Sequence, residues 1–196
     1  MKNMKSKLIG IMLKISAFIV LLILAGIILY VLILGIPQIK LSLFQWKYNS
    51  ENVSMMPAII NTLFMIVLSL VIAIPLGLGA AIFLTQYKKE GAVVKVIRMT
   101  SETLSGIPSI VYGLFGNIFF STVCGLGYSL ISGALTMAIM ILPLIMRTSE
   151  EAFLALSKGL EESSLALGAG KLRTISKVLL PSAMPGIISG IILGMG

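Results

Sequence analysis

The stretch EESSLALGAGKLRTISKVLLP, residues 161–181, decides how the rest of the chain is read. It is a polar, basic interruption between apolar segments that are each of a length to cross a membrane. A connection between membrane helices needs only a few residues, whereas the polar region here runs from Arg147 to Pro181. Leu160 to Leu167 holds good or neutral helix formers, and Gly168 and Gly170 supply left-handed conformations that stop a helix. Apolar residues resume at Leu172, Ile175 and Leu179, so the pattern predicts a second helix over 171–180, ended by Pro181. A helix, a glycine turn and a helix make a compact knob suited to a groove on a partner.

Working outward, the composition fits a membrane protein. The 196 residues are 58% hydrophobic and only 11% charged, with a mean hydropathy of +1.08. Soluble domains carry about a quarter charged residues. At about 20 residues per crossing, the chain accommodates five spans and their loops, with no soluble module.

The +8 formal charge could suggest nucleic acid, but its distribution argues against that partner. Lys2, Lys5, Lys7 and Lys14 precede the first apolar run. Lys88, Lys89, Lys95 and Arg98 follow the second, and Arg147, Lys158, Lys171, Arg173 and Lys177 follow the fourth. Of the 15 basic residues only Lys40 and Lys47 lie elsewhere. This alternation predicts a multi-pass protein with its N-terminus and the 147–181 loop in the cytoplasm.

Absent residue types exclude several chemistries. With no His and no Asp, the chain cannot build a His-based triad or an EF-hand, and it has few metal ligands. The single Cys124, near a span end, reads as a packing residue. GAGKL at 168–172 lacks the first glycine and the hydroxyl of a phosphate-binding loop, since Leu165 and Leu172 occupy those places.

In chain order, 1–14 is a basic tail and 15–34 a first span too long for a cleaved signal. An outer loop over 35–56 holds Trp46 and Tyr48 as interface residues. The second span, 57–85, is interrupted by Pro75, and Ala73, Gly77 and Ala81 place small residues on one face for close helix contact. Lys88 to Thr100 reads as a cytoplasmic loop, with Ser101 and Glu102 opening a third span. Within it, 104–116 combines Pro108, three glycines, Ser105, Ser109 and Tyr112 into a small-residue face carrying hydroxyls. A turn at 125–128 leads to a fourth span over 129–146. Thr148 and Glu151 have capping-box spacing, predicting a fresh helix there. A last span begins at Ser182, with Gly186, Gly190 and Gly194 spaced for close packing.

Glu162, Ser163, Ser164, Gly168, Val178, Leu180 and Pro181 resemble, position by position, the E-A-A, x3, G, x9, I-x-L-P loop of ABC importer permeases. Two serines replace alanines and Val178 replaces isoleucine. In that family the loop docks on the ATP-hydrolysing subunit, which implies a docking role for Glu162, Ala166, Leu167, Gly168, Ala169, Gly170 and Pro181. An amphipathic loop lying on lipid is the plain alternative. The 104–116 run is similar to a segment in both permeases of the phosphate-specific importer, and Arg147-Thr-Ser-Glu-Glu-Ala after Leu-Pro resembles its PstA-type member. This implies Arg147, Ser109 and Tyr112 as substrate-pathway residues, where position alone makes Arg147 an interfacial anchor and the others packing.

The resemblance implies an all-α membrane bundle of the MetI-like fold over 57–196, with about five of six spans and a C-terminally incomplete chain. It further implies a phosphate importer subunit of the bacterial cytoplasmic membrane that is not an enzyme. Expected partners are a homologous permease, an ATPase dimer that binds the ATP and Mg, an outer phosphate-binding protein, lipid and inorganic phosphate. No cofactor is expected in this chain. Alternatives are another oxyanion such as phosphonate or molybdate, the partner phosphate permease, or a non-transporting membrane scaffold.

Overall fold

The computed structural model describes residues 2–50, 53–87 and 91–196, and every described regular element is helical. The chain divides into two compact units, Met1–Ile59 and Ile60–Gly196, each described by itself. In the first, α1 (Lys2–Gly35) is one continuous helix, so the basic tail and the apolar run share an axis. Its apolar part, Lys7–Gln38, is long enough to cross a bilayer. Short 3-10 turns at Ile36–Gln38 and Leu41–Phe44 follow. The Ser54 hydroxyl caps this loop by donating to the Leu43 carbonyl at 3.3 Å.

The second unit is built on α2 (Met56–Ile82), α3 (Ala92–Ser105), α4 (Ser109–Gly116), α5 (Leu130–Leu154), α6 (Lys158–Ala166), α7 (Lys171–Thr174) and α8 (Leu180–Met195). Among the described residues of the whole chain, four helical segments, that of α1 included, are long and apolar enough to cross a membrane, or five if the bent pair 92–105 and 109–123 counts as one crossing. Helix α5 is the centre of the unit, with α8 packed along it and α3 and α4 against its two ends. The bundle follows the small-residue rule for membrane helices, in which close backbone approach replaces a hydrophobic drive.

On α2, the expected small face is the buried one: Ser69, Ala73, Gly77 and Ala81 all point inward. A Cβ added to Gly77 would lie 2.9 Å from the Ile145 methyl, so glycine sets the α2 to α5 separation. Pro75 sits on the exposed side and α2 continues through it. The α5 to α8 contact repeats the device. Added Cβ atoms at Gly186, Gly190 and Gly194 would meet Ala152, Thr148 and Leu144 in that order, so the two helices run antiparallel at close range. Gly186 would stand 2.7 Å from the Ala152 methyl.

Several expected boundaries move. Residues 92–105, read as a loop and the opening of a span, form one amphipathic helix; Lys88 and Lys89 lie outside the described residues. Val94 and Ile97 turn toward Leu84 and Met146, and this shared burial outweighs the modest helix propensity of a valine-rich segment. Ser101 and Glu102 therefore lie in the last turns of α3 and are not an N-terminus. The break comes at Gly106 to Pro108, where proline lacks an N–H and takes φ −58° and ψ 139°. The helices on either side meet at 99°, so the third crossing is broken, not straight.

Helix α5 starts from Ser129, whose hydroxyl accepts from the Ser132 amide at 3.3 Å, and runs unbroken past Arg147 to Leu154. Thr148 is no cap: its hydroxyl donates to the Leu144 carbonyl one turn back at 2.9 Å. Nor does Pro181 end a helix. A widened turn at Ile175–Leu179 absorbs the hydrogen bond that proline cannot donate, and α7, this turn and α8 form one apolar helical run, Lys171–Met195. Cys124 is exposed, contrary to its expected packing role.

Candidate functional site

The polar stretch that organised the sequence folds into a knob at one end of the bundle. Helix α6 exposes Glu162, Ala166 and the C-cap Leu167, the last at 89% of its full area. Gly168 then takes φ +85°, the left-handed conformation that reverses the chain, and its amide donates to the Leu165 carbonyl at 2.9 Å. Gly170 has φ −68° and ψ 154°, ordinary extended backbone, so one glycine and not two makes the turn. Ala169 is half-buried, while Gly170 and Pro181 are exposed. Leu172, 73% exposed, is with Leu167 the most exposed apolar side chain of the knob.

The knob is tied to the bundle at its base. The Ser164 and Thr174 hydroxyls lie 2.9 Å apart, bridging α6 to α7, and Thr174 is fully buried. Next to Thr174, Ile175 and Leu179 enter a core cluster with Ala81 of α2, Phe153 of α5, and Ala183 and Ile187 of α8. The Lys171 ammonium sits over the Tyr87 ring, 5.0 Å from its centre. Movement of the knob must therefore displace side chains of three long helices, since a close-packed interior transmits displacement. Behind the knob, a cavity of about 130 Å³ is lined by Thr85, Gln86, Lys158 and Glu161. The Gln86 amide oxygen is buried there without a protein partner.

Arg147 projects from α5 in the same half of the bundle, 62% exposed, with its Nε donating to Glu151 Oε1 at 3.2 Å. An exposed i,i+4 pair contributes only about 0.3–0.5 kcal/mol. Next to it stands a pairing that the sequence did not disclose: Arg98 of α3 donates from Nε and Nη2 to Glu150 of α5, with the carboxylate largely buried. Arg98, Ser101, Glu102, Arg147, Glu150 and Glu151 together line a basin of about 230 Å³. Fifty-two residues separate Arg98 from Glu150, a distance at which no local pattern exists. Only the paired polarity of α3 and α5 offered a signal.

Ser109 and Tyr112 do not line that basin. Ser109 is exposed at the start of α4, and Tyr112 is buried with its hydroxyl donating to the Leu104 carbonyl at 2.8 Å. The Ser105 hydroxyl instead returns to its own helix, donating to the Ser101 carbonyl. Tyr112 thus braces the 99° break, linking α4 to the last turn of α3. Tyr112→Phe is expected to lower stability by about 1 kcal/mol, seen as a lower unfolding temperature in detergent with assembly retained.

The described residues hold no group of three or more potential metal ligands. The arrangement supplies an exposed knob and an arginine basin.

Comparison with known proteins bears on the same region. The family described as "Binding-protein-dependent transport system inner membrane component" matches residues 73–196. A probable ABC transporter permease protein, YqgI of Bacillus subtilis (strain 168), is 35% identical over 197 residues, covering 100% of this chain and 67% of its own length. The phosphate transport system permease protein PstA of Pasteurella multocida (strain Pm70) is 32% identical, covering 99% of this chain and 70% of its own. A PstA homolog of Mycoplasma pneumoniae is 36% identical over 86% of this chain, which spans 27% of that relative's length.

Proposed function

Because the chain belongs to the binding-protein-dependent transport inner membrane component family and is a multi-pass ABC permease of the PstA type rather than an enzyme, we propose that it forms half of the translocation pathway of an ATP-driven phosphate importer. A homologous permease supplies the other half, an ATPase dimer binds ATP and Mg, and an outer binding protein delivers inorganic phosphate. The chain itself carries no cofactor. The N-terminus and the knob face the cytoplasm, following the distribution of lysine and arginine.

The observation that carries this reading is the continuity of the knob with the membrane helices. Leu167 and Leu172 offer apolar anchors to a groove on the ATPase, and Glu162 adds a polar contact beside them. From there α7 runs into α8 without a break, and the buried Ile175 and Leu179 lean on α2 and α5. Closure of the ATPase dimer on ATP pushes this lever, and the helices rock between outward and inward access. PstA-named relatives support phosphate as the substrate, and Arg147 suits it chemically, because a guanidinium presents paired donors to phosphate oxygens.

Two measurements test this. Arg147→Ala in the full chain, assembled with its partners, is expected to reduce phosphate uptake about a hundredfold, the loss of a charge-assisted contact in transit. Assembly is expected to survive, since the Arg147 to Glu151 pair contributes little. Normal uptake would return Arg147 to an interfacial anchor. Excess phosphonate or molybdate is expected to leave phosphate uptake unchanged; strong competition would assign the pathway to another oxyanion.

A further inference from the structure

A phosphate dianion needs more than one guanidinium to replace its water, and Arg147 supplies only one. The basin beside it contains a second. Arg98 reaches in from α3 with two of its donor nitrogens turned to a single oxygen of Glu150, whose side chain is 11% exposed on α5. Arg147 is held more loosely, by a single Nε contact to the exposed Glu151 at 3.2 Å. Glu102 lines the basin as a third carboxylate, so acids outnumber the two arginines and the basin as it stands repels an anion. The Arg98 guanidinium is masked by a carboxylate whose geometry resembles that of the ligand, while Arg147 keeps most of its donors open.

The geometry points to Arg98 as a second anion-binding residue of the pathway, with Glu150 as a carboxylate placeholder that occupies it when phosphate is absent. This rests on the phosphate reading above. Arg98 and Glu150 belong to different helices, so exchange of Glu150 for phosphate also releases the side-chain tie between α3 and α5. Val94 and Ile97 keep α3 seated through Met146 and Leu84, so the exchange does not require α3 to detach. A structural strut would differ in one measurable respect: neutralising either partner of a strut weakens the fold and leaves anion affinity where it was.

The test uses the permease pair with its ATPase dimer in detergent, without ATP and without the outer binding protein, with binding of radiolabelled inorganic phosphate followed by equilibrium dialysis. Glu150→Gln keeps size and removes charge, and is expected to tighten phosphate binding at least about tenfold by freeing the Arg98 donors. Adding Arg98→Gln to that variant is expected to abolish the gain. Where Arg98→Gln fails to assemble, Arg98→Lys gives the reading, with a smaller gain because an ammonium lacks paired donors. Wild-type affinity in Glu150→Gln, or a gain that survives loss of Arg98, would overturn the assignment. Uptake separates this from the reading beneath it. If Arg147→Ala abolishes uptake while Arg98→Gln transports normally, only the Arg98 assignment fails; if Arg147→Ala transports normally, the phosphate pathway itself fails.

Discussion

Gly190→Leu is expected to cost at least about 3 kcal/mol and to remove most folded protein from the membrane, the upper end of what overpacking does in a well-filled interior. Even a single added carbon at Gly190 would collide with the Thr148 side chain across the α5 to α8 contact, standing 2.6 Å from its Cβ. Thr148 cannot rotate away cheaply, being β-branched and held by the hydrogen bond from its hydroxyl to Leu144. Gly190→Ala isolates the competing terms. Alanine gains about 1 kcal/mol of helix propensity over glycine, so a helix in open lipid would be stabilised. Here the clash is expected to outweigh that gain. Thr148→Ala introduced together with Gly190→Ala is expected to restore folding beyond the sum of the single effects, because the two positions share one contact. Folded yield and resistance to denaturing detergent give the measurement; a stabilised Gly190→Ala would show that α8 does not pack on α5 at this distance.

Gly168→Pro is expected to abolish co-purification of the ATPase subunit while leaving the amount of permease in the membrane unchanged. Proline is confined near φ −65° and the turn requires +85°. It also lacks the amide that Gly168 donates to Leu165. The α6 to α7 reversal therefore cannot form, and the Leu167 and Leu172 tip is dispersed. The Ser164 to Thr174 bridge across the turn is lost with it, but the lesion stays local because the turn is exposed and the buried Ile175 and Leu179 lie beyond it. Gly168→Ala, which pays only the cost of a left-handed alanine, about 1 kcal/mol, is expected to retain most binding. Glu162→Lys reverses an exposed charge on the same face and is expected to weaken the complex severalfold. Undiminished ATPase binding in Gly168→Pro would count against docking through this knob.

What could be seen in the sequence was what short spacing encodes. Ala73, Gly77 and Ala81, and again Gly186, Gly190 and Gly194, lie four residues apart, so the close-packed faces were visible before any coordinates. Gly168 was identifiable as a reversal because few residues tolerate positive φ. Boundaries were less visible, for reasons that can be named. Thr148 with Glu151 has the spacing of a cap, but nothing between Arg147 and Leu154 breaks a helix, and the threonine hydroxyl found a carbonyl one turn back. Pro181 carries a stop signal that a widened turn neutralised. Residues 92–105 looked like a charged loop because only Val94 and Ile97 are core-facing, and their partners Leu84 and Met146 are supplied by other helices. The Arg98 to Glu150 pair had no local trace at all. Tertiary packing decided each of these against the local signal.

Coupling of ATP hydrolysis to transport requires the knob to lie in the cytoplasm under the ATPase. A single cysteine at Leu167, in the full chain with Cys124 replaced by serine, can be labelled with a membrane-impermeant maleimide in intact spheroplasts and in inside-out vesicles. The expected result is labelling only in inside-out vesicles, and protection there once the ATPase subunit is bound. Labelling from the outer face, or a rate in inside-out vesicles that the bound ATPase leaves unchanged, would contradict it.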